Sequence, residues 1–394
     1  MKKISFEPIS VKNSISEMKN IAELMIDLAY SSLLFRNLEI SDEVMKLEEQ
    51  VHVLTYLVDM NTMLAVRDSK DAEELEPIIR IGYNFDRISN AIADIAKITI
   101  NKLDLHPTLF EAIRQSEEPL IRAIVTNKEI NNKKIGKLQI RSETGCDIIA
   151  IRRGNGWIFD PTKDTKLKLN DVLFARGSVK GNQLLCNMTG GQCTRGEKEK
   201  ENFPIELEHD LTIIKQYILE MKNTSEAMIG LAFSAILFNN REIAEDVFEM
   251  EERLDFVQLE VQKSVLANAK CVNDPTRFVS ILRLATATEE ISDGATSIAE
   301  IVLRGLEPHP VFEIIMNETD EIISKIQISE KSKIVNQTIS ESNIQINTGM
   351  KVIAIKRNND YFYGINKNTM LLPEDVLITV GPEEGKQLLM EMAK

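Results

Sequence analysis

The sequence predicts an α+β protein: two long-helix bundles alternating with two small α/β modules, produced by internal duplication. Three observations carry this. The stretch ELMIDLAYSSLLFRNLEISDEVMKLEE, residues 23–49, recurs without a gap as EAMIGLAFSAILFNNREIAEDVFEMEE, residues 226–252. Glu23 answers to Glu226, Asp86 to Glu289 and His106 to His309; farther on the spacing grows by one residue, so that Gly145 answers to Gly349 and Asp171 to Asp375. Within each copy the apolar period changes from helical to strand-like near Leu120 and near Glu321. A repeat this long is a domain-sized unit rather than a solenoid repeat.

The chain has 394 residues, enough for two to four domains. Its 43% hydrophobic and 27% charged residues exclude disordered and fibrous classes. A formal charge of −14 excludes a nucleic-acid or anionic-membrane partner held by charge alone. The start, MKKISFEPIS, has no apolar segment and is not expected to act as a signal peptide. No apolar run approaches the roughly 18 residues of a membrane helix. The four cysteines, Cys146, Cys186, Cys193 and Cys271, stand at no metal spacing. Their repeat counterparts are not cysteine, which excludes a duplicated disulfide framework, and a reduced, cytoplasmic location is expected.

The first helix runs from Ile15 to about Arg36, with Ile21, Leu24, Leu28, Ser31 and Phe35 on one face. Asn37 caps the second helix, whose stripe is Val44, Leu47, Val51, Leu54 and Val58, and Asn240 holds the same place in the second copy. A capping box of Asp71 with Glu74 opens the third helix; its counterpart is Asp274 followed by Pro275, a proline where the missing N–H costs nothing. The stripe from Leu75 to Ile95 makes that helix long. A shorter one starts at Pro107. Few aromatics and many Leu, Ile, Met and Ala suit long helices packed nearly parallel.

In the module that follows, residues 120–125 and 321–327 read as strands, and so do 148–153 and 352–357. Gly154-Asn155-Gly156 makes a hairpin turn, as Asn358-Asn359-Asp360 does in the second copy. Residues 169–174 and 372–377 are turn then strand, and Arg176-Gly177 leads to a terminal helix. Residues 190–202 are glycine-rich and then charged, the composition of a linker.

The segments ISEMKNIAELMIDLAYSSLLF, ISDEVMKLEEQVHVL and DAEELEPIIRIGYNFDRISNAIADIAK resemble a PhoU-type helical domain in its archaeal form. IGKLQIRSETGCDIIAIRRGNGWIFDP with LKLNDVLFARGS resembles a TrkA C-terminal domain, also called the RCK C-terminal domain, and residues 334–389 repeat it. The boundaries expected are 1–118 and 209–319 for the PhoU-like bundles, 119–189 and 320–394 for the TrkA-C modules, and 190–208 for the linker. Such resemblance implies a cytoplasmic, non-enzymatic regulator of a separate membrane potassium channel or transporter. Its rival is a metal-binding adaptor for phosphate transport or signalling.

PhoU resemblance implies a divalent ion or an iron cluster on paired carboxylates one helical turn apart, where two oxygens share a face. The matching positions are Glu23 with Asp27, Glu48 with His52, and Asp86 with Asn90 and Asp94. In the second copy they are Glu226, facing Gly230, then Glu251 with Asp255, and Glu289 with Asp293, while Ser297 replaces Asp94. The plain alternative is that these are solvated helix faces.

TrkA-C resemblance implies pairing of the two modules, within the chain or between chains, and a small anionic ligand, in some bacterial members cyclic di-AMP. The contacting positions implied are Arg141, Asp147 and Ile148, with counterparts Gln345, Lys351 and Val352. An arginine forks onto phosphate, but Asp147 repels it and Gln345 lacks the charge, so the reading favoured is a folded dimerisation module with no bound nucleotide; the duplication leaves open a mixed site drawn from both copies. Arg152-Arg153 and Lys356-Arg357 read as solvated strand ends. No glycine-rich phosphate loop follows a strand, His106 and His309 precede prolines as structural corners, and no nucleophile set recurs in both copies, so no enzyme is expected.

Overall fold

The computed structural model describes residues 4–103, 107–114, 119–154, 156–194, 205–237, 239–269, 274–305, 321–357, 360–362, 365 and 369–394. His106, Asn155, Cys271, His309, Pro310, Asn358 and Asn359 therefore lie outside the described residues. The chain divides into two compact units, each assembled from both copies of the repeat: Met1–Gln115 with Lys198–Glu318, and Ser116–Glu197 with Thr319–Lys394.

The first unit is helical. α1 (Val11–Leu34) starts earlier than its apolar stripe because the Ser10 hydroxyl accepts from the Asn13 amide, and it stops where Arg36 takes a positive φ of 46°. α2 (Leu38–Ala65) is capped by Asn37, whose side chain accepts from the Ile40 amide at 3.1 Å. Asn240 does the same for Ile243 at 3.0 Å at the head of α9 (Arg241–Ala269). α3 (Ser69–Ile100) corrects the expected capping box. Its cap is Asp68, which takes the amides of Lys70 and Asp71 at 2.9 and 3.0 Å, while Asp71 pairs with Arg67. Asp71 instead accepts from the Arg67 amide at 3.1 Å and from its guanidinium at 2.9 Å. Asp274 caps a single 3-10 turn begun by Pro275, after which α10 (Phe278–Leu303) runs on. α4 (Pro107–Arg114) and α8 (Ile205–Leu237) complete the unit.

α1, α2 and α3 pack on one another, as do α8, α9 and α10. The copies meet where α3 lies against α10 and α4 against α8. Phe85 and Phe233 stand edge to face there, 6.3 Å apart. Gly294 admits Ile88, since a Cβ would come 2.5 Å from the isoleucine Cγ1. None of the described helices is long and apolar enough to cross a membrane.

The second unit holds two antiparallel sheets. The first copy contributes β1 (Leu120–Ile124), α5 (Ile135–Leu138), α6 (Ile140–Thr144), β2 (Asp147–Arg153), β3 (Gly156–Phe159), β4 (Val172–Arg176), α7 (Val179–Thr189) and β5 (Gln192–Thr194). The second contributes β6 (Glu321–Gln327), α11 (Ile339–Ser342), α12 (Ile344–Thr348), β7 (Lys351–Arg357), β8 (Asp360–Phe362), β9 (Val376–Pro382) and α13 (Glu383–Met392). The strand orders are β3-β2-β4-β1-β5 and β6-β9-β7-β8, the same arrangement with one strand added to the first. Both central strands slip register at the same place, Ile148 to Ala150 and Val352 to Ala354. That bulge breaks the alternation expected of a half-buried strand, so all four residues from Ile148 to Ile151 are buried.

Three expectations are corrected here. Arg153 and Arg357 are not solvated strand ends. Arg153 forks onto Asp171 with both bonds at 2.8 Å, and Arg357 does the same to Asp375 with both at 2.8 Å; the aspartates are fully buried. The Asp-Val-Leu sequence is thus a clamp, and its aspartate also accepts the amide of Lys168 or Leu372 at 2.7 Å. The linker, in turn, does not begin at Gly190. Gly190 and Gly191 take φ of 115° and 86° and fold the chain back, so that β5 pairs with β1 and Cys193 reaches Cys186, with which it forms a disulfide. The expectation of reduced cysteines fails at this pair, because a turn between residues seven apart places them together; Cys146 is free and buried.

Candidate functional site

The two small modules meet through α6 and α12. Each is a single helical turn ending in a glycine with positive φ, Gly145 at 65° and Gly349 at 71°. A Cβ on Gly145 would stand 2.7 Å from the Gln345 carbonyl oxygen, so the close approach of the copies depends on its absence. Lys180 also donates across the seam to the Asn343 side chain at 2.8 Å.

At this seam lies a cavity of about 30 Å³. The first copy lines it with Arg141, Asp147 and Arg176, the second with Gln345, Lys351 and Val380. Of the residues implied for ligand contact, the structure brings together Arg141, Asp147, Gln345 and Lys351. It places Ile148 and Val352 elsewhere, in the cores of their own modules. The sequence reading missed Arg176, although the strand register brings it in: Arg176 lies opposite Asp147, and Val380 opposite Lys351.

Three cations and one carboxylate line this cavity, in a chain of formal charge −14. Arg141 approaches Asp147 at 3.8 Å, too long for a tight pair. Beyond the shared Gly145 and Gly349, the copies supply different chemistry at the paired lining positions: Arg141 against Gln345, Asp147 against Lys351, Arg176 against Val380. The site is therefore single and polar rather than twofold. At roughly 10–15 Å³ per water-sized group, this partly open cavity holds about two such groups. It admits the tip of an anionic group, such as a phosphate or carboxylate, and not a whole nucleotide.

Two protein-family matches agree with this architecture. The PhoU domain matches residues 15–99 and 218–302, and the TrkA-C domain matches residues 120–190 and 323–393. The chain carries two PhoU domains and two TrkA-C domains. Potassium channel protein 1 of Methanocaldococcus jannaschii is 34% identical to it over 86 residues, which are 22% of this chain and 26% of that protein. The match thus spans about a quarter of the relative's length. Among solved structures, PhoU from Pseudomonas aeruginosa is similar at 13% identity and a TM-score of 0.41, with 75% of this chain and 96% of that one covered. The GsuK RCK domain is similar at 13% identity and a TM-score of 0.18, covering 73% and 68% of the chains. The GsuK channel bound to NAD gives 13% and 0.19, covering 73% and 57%.

The PhoU carboxylates do not assemble into a metal centre. Among the described residues no three of His, Cys, Asp and Glu converge as one ion would require. Glu23 is taken by Lys19 at 2.7 Å and Glu226 by Lys222 at 2.6 Å, the same pair in both copies; Asp27 is buried. In the first copy His52 contacts Asp86 at 3.0 Å, Lys97 holds Asp94 at 2.6 Å, and the Asn90 amide turns to the Asp86 backbone. Burial raises the Glu48 carboxyl above its usual range, and Lys97 partly offsets this. In the second copy Arg87 crosses from α3 to Asp293. Burial pushes Glu251 up, with Asp255 and Asp293 adding to it. Glu289 is pushed up to about 7 by burial first, then by Asp293 and Asp255. These four carboxylates are near enough to repel yet not drawn onto one point.

Proposed function

We propose that the chain is a non-enzymatic regulatory subunit of a separate cation channel or transporter, with potassium as the cation. Its paired TrkA-C domains bind a small anion at their seam, and the PhoU domains couple that event to the membrane partner. The cationic cavity shared by the two TrkA-C copies supports this reading most directly, because its chemistry selects a phosphate or carboxylate group. The likeness to a potassium channel protein supports the choice of partner. A regulator of this kind acts from the cytoplasm, a location the Cys186–Cys193 disulfide does not itself favour.

The cavity is partly open to solvent, so it takes the anionic tip of a ligand while the rest of a larger ligand lies outside it. A ligand that binds one arrangement of the seam better than another shifts the balance between them by its differential affinity, and no more. That is the means by which a pocket this small acts on a distant partner.

The test is affinity capture of the full chain from native membranes, with identification of what co-purifies. A cation channel or transporter is the expected result. A phosphate transporter component would favour the adaptor reading instead, and no membrane transporter would overturn both.

A further inference from the structure

We propose that Arg87 is a built-in counter-ion in the place of a metal: it crosses between the PhoU copies, compensates the second copy's carboxylates and keeps a divalent cation out. Glu251, Asp255, Glu289 and Asp293 are the positions a metal would use, but no three of them converge. A hard cation draws its oxygens in to roughly 2.0–2.6 Å. Here Asp293 instead receives a guanidinium, and Glu289 takes a side-chain amide hydrogen from Gln258 at 3.5 Å.

A guanidinium suits this task because it stays charged at any physiological pH and is weakly hydrated. Arg87 sits on α3 of the first copy, so charge compensation and the pairing of α3 with α10 are one contact. Among the described residues no other cation pairs with these four carboxylates. The reverse contact does not exist, since the counterpart of Arg87 is Glu290. The first copy draws on its own helix, with Lys97 on Asp94. Each copy therefore has its cation, but from a different source.

The test is calorimetric titration of manganese(II), and separately zinc(II), into the full chain. Wild type is expected to take up no stoichiometric ion. Arg87→Gln removes the charge and keeps polarity, and is expected to gain one site per chain that binds roughly ten- to a hundredfold more tightly than any residual uptake by wild type, the scale on which one opposite charge shifts a neighbouring carboxylate. Glu289→Gln added to it should abolish the gain, and Arg87→Lys should show none. A folded Arg87→Gln that binds no more tightly than wild type overturns the proposal. Should that variant not fold, wild type decides: stoichiometric uptake that Glu289→Gln removes overturns it, and its absence supports it.

Discussion

Within the TrkA-C unit, two regions have had opposite histories. The clamp is the same in both copies: Arg153 on Asp171 and Arg357 on Asp375, each with two bonds of 2.8 Å. The seam keeps its two glycines, Gly145 and Gly349, but has diverged at its other paired lining positions, with Arg141, Asp147 and Arg176 facing Gln345, Lys351 and Val380. Each module needs its own clamp to fold, so neither copy is released from it. The cavity is needed once per pair. Duplication therefore frees each copy to supply a different half of one site, which a dimer of identical chains cannot do.

The largest effect expected is at the clamp. Asp171→Ala and Asp375→Ala each leave an arginine and a backbone amide without their buried acceptor, at a cost of about 3 kcal/mol. Urea denaturation of the two variants should give similar losses. A clear inequality would break the claim that the copies fold by the same contacts.

The seam glycines sharpen the comparison. Gly145→Ala combines a left-handed backbone with a Cβ 2.7 Å from a rigid carbonyl oxygen, whereas Gly349→Ala meets a movable arginine Cγ at 3.0 Å. Gly145→Ala should cost about 2 kcal/mol and Gly349→Ala less. Thermal denaturation of the two variants, compared directly, measures the difference; equal losses would mean that the approach of the copies does not matter.

The smallest effect concerns the second PhoU copy. Glu289 is raised to about 7 in the folded chain from an ordinary 4.5. Its contribution to stability is therefore full below pH 4.5 and is lost as pH rises through 7. Glu289→Gln should be more stable than wild type at pH 8, by about 1 kcal/mol after solvent screening, and no more stable at pH 4. A pH series of melting curves checks this. A difference that does not change with pH would place the effect elsewhere.

Much of the fold was legible because duplication shows each signal twice. The caps at Asn37 and Asn240 needed only the residue type and the start of a stripe. The cap at Asp68 was missed because Asp71 offers the same chemistry three residues on, and only the position of Arg67 separates them. In the site, Arg141 and Lys351 were marked by resemblance, but Arg176 was not. Its place beside Asp147 is a matter of strand register, and register across a bulge is not written in local sequence. The arginines at 153 and 357 read as strand ends because their buried partners lie eighteen residues away. The contact of Arg87 with Asp293 spans both copies, and no periodicity announces it.

The central claim is that one chain makes one anion site from both of its TrkA-C copies. Calorimetric titration of pyrophosphate into the full chain tests it most directly, with Arg141→Gln and Lys351→Gln beside wild type. The expected result is one site per chain, weakened by roughly tenfold or more in either variant, since each copy loses one charge partner. Two equivalent sites per chain, or binding indifferent to either substitution, would contradict the account.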